Sequence, residues 1–309
     1  MSFDTDAWLE RRRLARRLNW WRSLAVLALV AVVLGGLYWL DPGNVIQRRQ
    51  DHVAKLEIEG IITQNDWWME KLQEIEEDER AQALIVYVNS PGGSTYGGEA
   101  LFAALRDVAA KKPTVAVIGT LGASAGYMAA IAADRVYVRE TSLTGSIGVL
   151  FQTAEFSELM AKLGVSAESI ASGPLKDEPS PIKPLSPAGR EQIRRMVMET
   201  HAWFVDLVAE RRQMPREKVA ELADGRVYSG RLAVENGLVD ALGGVEEARA
   251  WLAQTHAISA DLPLREVPSE PPRDGWEGLA GQAVSAVLGK SLLAERLKLD
   301  GLVSVWHPE

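Results

Sequence analysis

The sequence predicts an α/β protein with a largely parallel β-sheet. Between residues 53 and 254, short apolar runs typical of buried strands alternate with longer segments that suit helices. Two of the apolar runs lead directly into glycine-rich stretches, NSPGGS and GTLGASAG. Strands that alternate with helices build βαβ units, in which the strands run parallel and their carboxyl ends face one crevice.

The elements can be assigned in order from the hydrophobic pattern. Val53–Ile58 alternates apolar and polar residues, which predicts a half-buried strand. Further strands are predicted at Ala83–Val88, Thr114–Ile118, Arg135–Val138, Ile147–Phe151, Val165–Ile170 and Arg226–Tyr228. Helices are predicted at Asp66–Glu79, Gly98–Ala110, Ser124–Ala133, Pro187–Arg212, Pro215–Leu222 and Glu246–Gln254. Four prolines between Pro263 and Pro272 indicate a linker.

Composition excludes several classes of protein. The chain has 309 residues, 47% of them hydrophobic, which is enough to bury a core. It has no cysteine, so a disulfide scaffold, a cysteine nucleophile and a cysteine metal site are all excluded. A net charge of −8 argues against nucleic-acid binding. We expect no metal and no cofactor.

An uncharged segment near the start predicts one transmembrane helix. Ser23–Leu40 has 18 residues without a charge, and a helix of that length spans about 27 Å. Aromatic residues flank it at Trp20, Trp21, Tyr38 and Trp39, as at membrane interfaces. Six arginines precede it, namely Arg11, Arg12, Arg13, Arg16, Arg17 and Arg22. The positive-inside rule keeps that side in the cytoplasm; the alternative is a cleaved signal peptide.

These observations divide the chain into five parts. We expect a cytoplasmic basic segment at 1–22, the transmembrane helix at 23–40, a polar linker at 41–52, the catalytic domain at 53–259, and a proline-rich linker with an amphipathic segment at 260–309.

Ser124 is the candidate nucleophile. The segment GTLGASAGYM follows a predicted strand and opens a predicted helix. A serine at that junction has an exposed hydroxyl, and backbone N–H groups nearby can stabilise an oxyanion. Gly122 and Gly126 allow a tight turn and close packing. The alternative is a helix N-cap serine with packing glycines.

A second glycine-rich loop strengthens this hypothesis. NSPGGS also follows a strand, so it is predicted to lie beside the Ser124 turn at the same edge of the sheet. Gly92 and Gly93 can present backbone N–H groups inward as an oxyanion hole. The alternative is an ordinary Pro-Gly turn.

A serine nucleophile needs a general base. His52, His201, His256 and His307 all fall outside glycine- or proline-shaped loops, which disfavours each of them as the base. Lys176 lies in the loop ASGPLKDEPSP, and burial lowers the pKa of a lysine toward the working range. The alternative is a solvated lysine beside two acidic residues.

Five motifs in order resemble the S49 family of membrane-bound bacterial serine proteases, in its signal peptide peptidase A form. They are NSPGGS, GASAGYM, TGSIGV, SGPLKDEPSP and GRVYSGRLAVENGLVDALGG, and the resemblance covers about Val53 to Gln254. It implies a Clp protease/crotonase-like fold, with the single repeat of the short form of the family.

The resemblance also implies roles for seven residues. Ser124 matches the family nucleophile and Lys176 its general base. The oxyanion hole is implied at Gly93, with Gly92 as the neighbouring candidate and Ala125 contributing its backbone N–H. Ser146 and Gly148 match the stretch beside the dyad and the substrate groove, where Ser146 helps to orient the lysine.

The implied function is hydrolysis of cleaved signal peptides and similar apolar peptides by a Ser-Lys dyad. The resemblance places the enzyme in the bacterial inner membrane, with its N-terminus in the cytoplasm and the catalytic domain outside. It implies a dome-shaped homo-oligomer, such as an octamer, in which protomers share the dyad. Two other functions stay open: an α/β-hydrolase esterase, which would need a downstream histidine, and a non-enzymatic membrane scaffold.

Overall fold

The computed structural model describes residue 17 and residues 19–31, 50–269 and 302–305. These residues fall into two compact units, which divide after Gln50. In the first unit, residues 19–31 form a solvent-exposed helix. In the described part of the chain, no helix is both long and apolar enough to cross a membrane. The predicted transmembrane helix at 23–40 extends beyond the described residues, so it stays a prediction.

The second unit alternates strands and helices, as predicted. The strands are β1 (His52–Ile62), β2 (Ala81–Ser94), β3 (Thr114–Ala123), β4 (Arg135–Val138), β5 (Leu143–Gly145), β6 (Leu150–Phe151), β7 (Val227–Ser229), β8 (Ala241–Leu242), β9 (Leu264–Val267) and β10 (Leu302–Val305). The helices are α1 (Asp66–Glu77), α2 (Thr95–Lys111), α3 (Ala125–Ile131), α4 (Ser157–Lys162), α5 (Pro187–Arg212), α6 (Arg216–Leu222), α7 (Gly230–Glu235) and α8 (Val245–His256).

The sheet is largely parallel, which confirms the predicted fold class. Its body has the order β9-β1-β2-β3-β4-β8, and every neighbouring pair in it is parallel. The end of β3 also pairs with β5 in parallel, and β5 pairs with β7 antiparallel. Strand β10 lies antiparallel between β2 and β6.

Side chains of the central strands alternate between two buried faces of the sheet. In β2, Leu84 and Val86 belong to the larger core, whereas Ala83 and Ile85 belong to a smaller one. The larger core includes residues of α1, α2, α3 and α5, and the smaller one includes residues of α8. Burial on both faces explains why the β2 sequence is a continuous apolar run rather than an alternating one.

The strands that carry the glycine-rich motifs are longer than predicted. Strand β2 continues to Ser94, so NSPGGS belongs to the strand, and β3 continues to Ala123, so GTLGASAG is strand up to the residue before Ser124. Strand β5 lies in the TSLTGS stretch, between the predicted strands Arg135–Val138 and Ile147–Phe151, where no strand was predicted. Each extra segment is polar or glycine-rich and pairs through its backbone, and hydropathy does not detect such pairing.

Two other predictions were wrong for a related reason. Val165–Ile170 is not a strand; its residues are exposed and none of them belongs to the sheet. Conversely, β9 forms within the stretch predicted as a linker, and pairs with β1 from Val53 to Leu56. In both places the presence of a partner strand, rather than local hydropathy, decides whether a strand forms.

Candidate active site

Ser124 occupies the single residue between β3 and α3. Its backbone angles are φ 57° and ψ −119°, which residues other than glycine rarely adopt. It is 1% exposed, so the exposed hydroxyl expected from the sequence is buried in this chain. Its N–H donates to the carbonyl of Gly145 at 2.8 Å, and its own carbonyl accepts from the N–H of Met128 at 2.9 Å. Non-glycine residues in this strained region cluster at functional sites, where the surrounding structure holds them.

The glycines on either side of Ser124 pack too closely for a side chain. A Cβ atom on Gly126 would lie 2.8 Å from the Ser90 carbonyl oxygen, and one on Gly122 would lie 2.8 Å from the Ile118 side chain. The turn is therefore pressed against the end of β2. This close approach explains why small residues surround the serine in the motif GASAG.

The NSPGGS stretch lies beside this turn, as predicted. Ser90 of β2 pairs with Gly122 of β3, so the glycines that follow Ser90 adjoin the end of β3. Gly92 has φ 109°, and a Cβ on Gly93 would lie 1.7 Å from the carbonyl oxygen of Ile62. Both positions therefore require glycine, and they place closely packed backbone beside Ser124.

The TGSIGV stretch completes this side of the site. Ser146 follows Gly145, whose carbonyl accepts the hydrogen bond from the Ser124 N–H. Ser146 is buried and has φ 49°, and its N–H donates to the Arg226 carbonyl at 2.8 Å. Ser146 and Gly148 line a cavity of about 510 Å³. Its other lining residues are mostly apolar and include Val149, Leu150, Val197 and Met198.

Lys176 lies in an exposed turn of the same chain. Its backbone N–H donates to the Gly173 carbonyl at 3.2 Å, and its side chain is exposed. Within the described residues, the ammonium group of Lys176 forms no hydrogen bond or ion pair. Ser124 is buried, whereas the side chain of Lys176 is exposed. The pairing of the two predicted dyad residues therefore stays a prediction.

The turn that carries Lys176 is held by its acidic neighbours. Lys183 lies 3.0 Å from Asp177, and its hydrogen bond holds the pKa of that carboxyl below its usual range. The side chain of Glu178 is 5% exposed, and its carboxylate accepts from the N–H of Ser186, the N-cap of α5, at 3.4 Å. Asp177 and Glu178, which follow Lys176, are therefore held by an ion pair and a hydrogen bond within the chain.

The described histidines have other environments. His52 begins β1, at the edge of the sheet opposite Ser124, and the His256 ring packs edge-on against Trp251 at 4.8 Å. Nε2 of His201 lies 2.8 Å from the Ala223 carbonyl, and this ring also lines the cavity beside Ser146. His307 lies outside the described residues.

Two contributors to the site were missed by sequence reasoning. Gly145 supplies the carbonyl that holds the Ser124 N–H, and Tyr127 anchors α3 by donating its hydroxyl to the Leu238 carbonyl at 2.8 Å. Burial raises the pKa of Tyr127, so its hydroxyl stays protonated. A glycine with positive φ leaves only a weak signal in sequence, and a buried tyrosine leaves none.

Comparison with known proteins identifies the family. The profile of the Clp proteases matches residues 51–149, and that of peptidase family S49 matches residues 106–259. A relative from Methanocaldococcus jannaschii, named as a protease, is 35% identical over 62% of this chain and 62% of its own length. One from Synechocystis, also named as a protease, is 34% identical over 68% of this chain and 76% of its own length.

A third relative carries a more specific name. A protein of Enterococcus faecium named as a signal peptide peptidase is 35% identical over 63% of this chain and 61% of its own length. The chain thus spans less than two thirds of the length of two of these three relatives. The match to the Synechocystis protein and the S49 profile agree with each other and with the fold. The chain therefore belongs to peptidase family S49.

Proposed function

We propose that this peptidase is a serine endopeptidase in which Ser124 is the nucleophile and Lys176 the general base. The observation that carries the proposal is the geometry of Ser124. It is a non-glycine residue at φ 57°, placed where β3 ends and beside the glycine-rich end of β2. A strained strand-to-helix turn of this kind is typical of nucleophilic serines.

The proposed reaction is acyl transfer to serine followed by hydrolysis. Ser124 Oγ attacks the peptide carbonyl carbon while its proton passes to uncharged Lys176 Nζ. Backbone N–H groups of Gly93 or Gly92 and of Ala125 stabilise the oxyanion of the tetrahedral intermediate. Lys176 then protonates the departing amine, and later takes a proton from the water that hydrolyses the acyl-enzyme.

We propose that two copies of the chain complete the dyad. Several large apolar side chains that precede Lys176 in sequence are exposed, namely Phe156, Leu159, Leu163, Val165, Ile170 and Leu175. We infer that these exposed side chains form an interaction patch. A second copy that covers this patch would shield Lys176 from water beside the partner's Ser124. A dome-shaped homo-oligomer such as an octamer satisfies this requirement.

Apolar peptides, including cleaved signal peptides, are the proposed substrates. The cavity beside Ser146 is lined mostly by apolar side chains, which favours apolar substrate residues. One relative is named as a signal peptide peptidase. Anchoring through residues 23–40, with the catalytic domain outside the cytoplasm, would place the enzyme where such peptides are released. Protease protection of the domain in sealed inverted membrane vesicles tests this topology.

Hydrolysis of a fluorogenic apolar peptide by the full chain in detergent tests the proposal. The Ser124→Ala variant should lose activity by at least about a thousandfold while keeping its melting temperature, because only a hydroxyl is removed. Ser142→Ala is the matched control: Ser142 is also buried, and its Oγ accepts from the Arg139 N–H. Normal turnover by Ser124→Ala would refute the nucleophile, and an inactive wild-type chain would favour the scaffold hypothesis.

A further inference from the structure

Strand β10 occupies a gap between two other strands of the sheet. Along one edge, residues 303–305 pair antiparallel with Ser94, Gly93 and Gly92 at the end of β2. Along the other edge, residues 302 and 303 pair antiparallel with β6. Among the strands of the described residues, β2 and β6 are joined only through β10. A short segment of the chain thus fills a space that is one strand wide.

This gap begins where the nucleophile lies. One edge of β2 is occupied by β1, since Ile61 and Ile62 pair with Gly92 and Gly93. The other edge pairs with β3 as far as Gly122, two residues before Ser124. Because β1 holds the first edge, β10 must lie on the second, directly beyond the point where β3 turns away at Ser124.

The wall on the far side of the gap belongs to the same site. Strand β6 follows closely after Ser146 and Gly148, and Leu150 of β6 both pairs with residue 303 and lines the apolar cavity. A peptide lying in the gap would therefore have the candidate oxyanion glycines on one side and the apolar cavity on the other. Peptides recognised by strand addition gain affinity from backbone hydrogen bonds and specificity from such pockets.

We propose that residues 302–305 are a resident occupant of the substrate-binding cleft and compete with peptide substrates for it. The inference rests on the proposed function, because it identifies the β10 position with the cleft beside Ser124. The segment belongs to the same chain, so its occupancy does not fall on dilution. If it fills the cleft nine tenths of the time, the apparent affinity for substrate falls about tenfold.

Proline substitution tests the proposal without shortening the chain. Neighbouring residues of a strand direct their N–H groups to opposite edges, so Val303→Pro with Ser304→Pro removes one donor on each side of β10. We expect this double variant to lower KM for a fluorogenic peptide by about threefold to tenfold with kcat unchanged. The matched control, Val303→Ala with Ser304→Ala, keeps both N–H groups and should stay close to the wild-type KM.

Peptide binding tests the proposal independently of catalysis. A labelled peptide with the sequence of residues 300–309 is titrated into Ser124→Ala chains, with and without the proline pair, and followed by fluorescence polarisation. The chain with the proline pair should bind it at least threefold more tightly, because its cleft is free. Equal affinity in the two chains, or equal KM in the proline and alanine pairs, would overturn the proposal.

Hydrogen exchange separates this inference from the proposed function. Amides of Gly92–Ser94 and Leu150–Phe151 should exchange faster in the proline pair than in the alanine pair, whether or not the chain cleaves peptides. If the proline pair shows faster exchange and tighter peptide binding but the wild-type chain has no peptidase activity, the proposed function is refuted and the inference about β10 stands. Unchanged exchange in an active peptidase would refute the occupant alone.

Discussion

The backbone N–H of Ser124 donates a 2.8 Å hydrogen bond to the carbonyl of Gly145. This bond joins the strained turn after β3 to the end of β5, one residue before Ser146, which also has a positive φ. Two loops distant in sequence are thereby held in one arrangement around the candidate nucleophile. The site is organised by backbone contacts before any substrate binds, which is what oxyanion stabilisation requires.

The conformation of Gly145 should be essential to this arrangement. Gly145 has φ 90°, and an added Cβ would lie 2.8 Å from the Tyr228 ring. We expect Gly145→Ala to lower the free energy of unfolding by about 1–4 kcal/mol, measured by urea denaturation, and to lower kcat as well. Gly164→Ala is the control, since Gly164 also has positive φ but faces open space. An equal loss in both variants would contradict the role of packing at Gly145.

A charge-conserving substitution at Lys176 should not restore activity. Lys176→Arg and Lys176→Ala should both lose at least about a hundredfold in kcat, because arginine stays protonated and cannot accept the serine proton. Lys218→Ala, which changes another exposed lysine, should behave as wild type. Wild-type activity should also rise with pH above neutrality, and a maximum below about pH 6 would contradict a lysine base.

His201 should be dispensable for the chemistry even though its ring lines the cavity beside Ser146. Its Nε2 is held by the Ala223 carbonyl at 2.8 Å, which is a structural contact. We expect His201→Gln, which keeps a donor, to retain kcat within about threefold. His256→Gln serves as a control outside the cavity. A loss in His201→Gln as large as that in Ser124→Ala would favour the histidine-dependent esterase.

The contribution of the Lys176 turn to stability should depend on pH through the ionisation of Asp177. The hydrogen bond from Lys183 lowers the pKa of Asp177 in the folded chain. A carboxyl with a depressed folded pKa stabilises the fold fully above its unfolded pKa of about 4, and that stabilisation is lost as the pH falls through the lower folded pKa. Asp177→Asn should therefore lower the melting temperature more at pH 7 than at about pH 2. An equal difference at both pH values would contradict the ion pair.

Mixed oligomers should show whether the dyad is shared between copies. Ser124→Ala and Lys176→Ala chains are each expected to be inactive alone. If protomers exchange, the mixture should recover about a quarter of wild-type activity, since one pairing in four then joins an intact serine to an intact lysine. Absence of recovery in oligomers shown by mass spectrometry to be mixed would contradict a shared dyad.

The hydrophobic pattern predicts the buried parts of this fold well. The helix at Pro187–Arg212 and the strand at Arg135–Val138 have the predicted bounds. The strand is buried from Val136 to Val138, and the helix starts with proline at its first position after the N-cap Ser186. The pattern fails where backbone pairing decides structure: the glycine-rich ends of β2 and β3, the polar strand β5, and β9. The ends of β2 and β3 and strand β5 lie beside the site, where local sequence serves the chemistry rather than the core. Strand β9 instead lies beside the start of β1.

The position of the candidate nucleophile was predictable, but its surroundings were only partly so. Glycine spacing and the carboxyl-edge rule predict that GASAG and NSPGGS lie together, which the β2–β3 register confirms. The contact with Gly145 depends on a left-handed backbone angle that sequence does not reveal. The environment of Lys176 could not be predicted from the sequence of one chain. In the proposed oligomer a second copy covers this lysine, and the sequence near Lys176 does not show where that copy lies.

Labelling by a serine-directed sulfonyl fluoride tests the central claim most directly. Mass spectrometry should locate a single adduct on Ser124 in the wild-type chain, since only an activated hydroxyl reacts readily. Labelling should slow by about a hundredfold or more in Lys176→Ala and stay unchanged in Lys218→Ala. An adduct on another residue, or equal labelling rates in wild type and Lys176→Ala, would contradict a Ser124–Lys176 dyad.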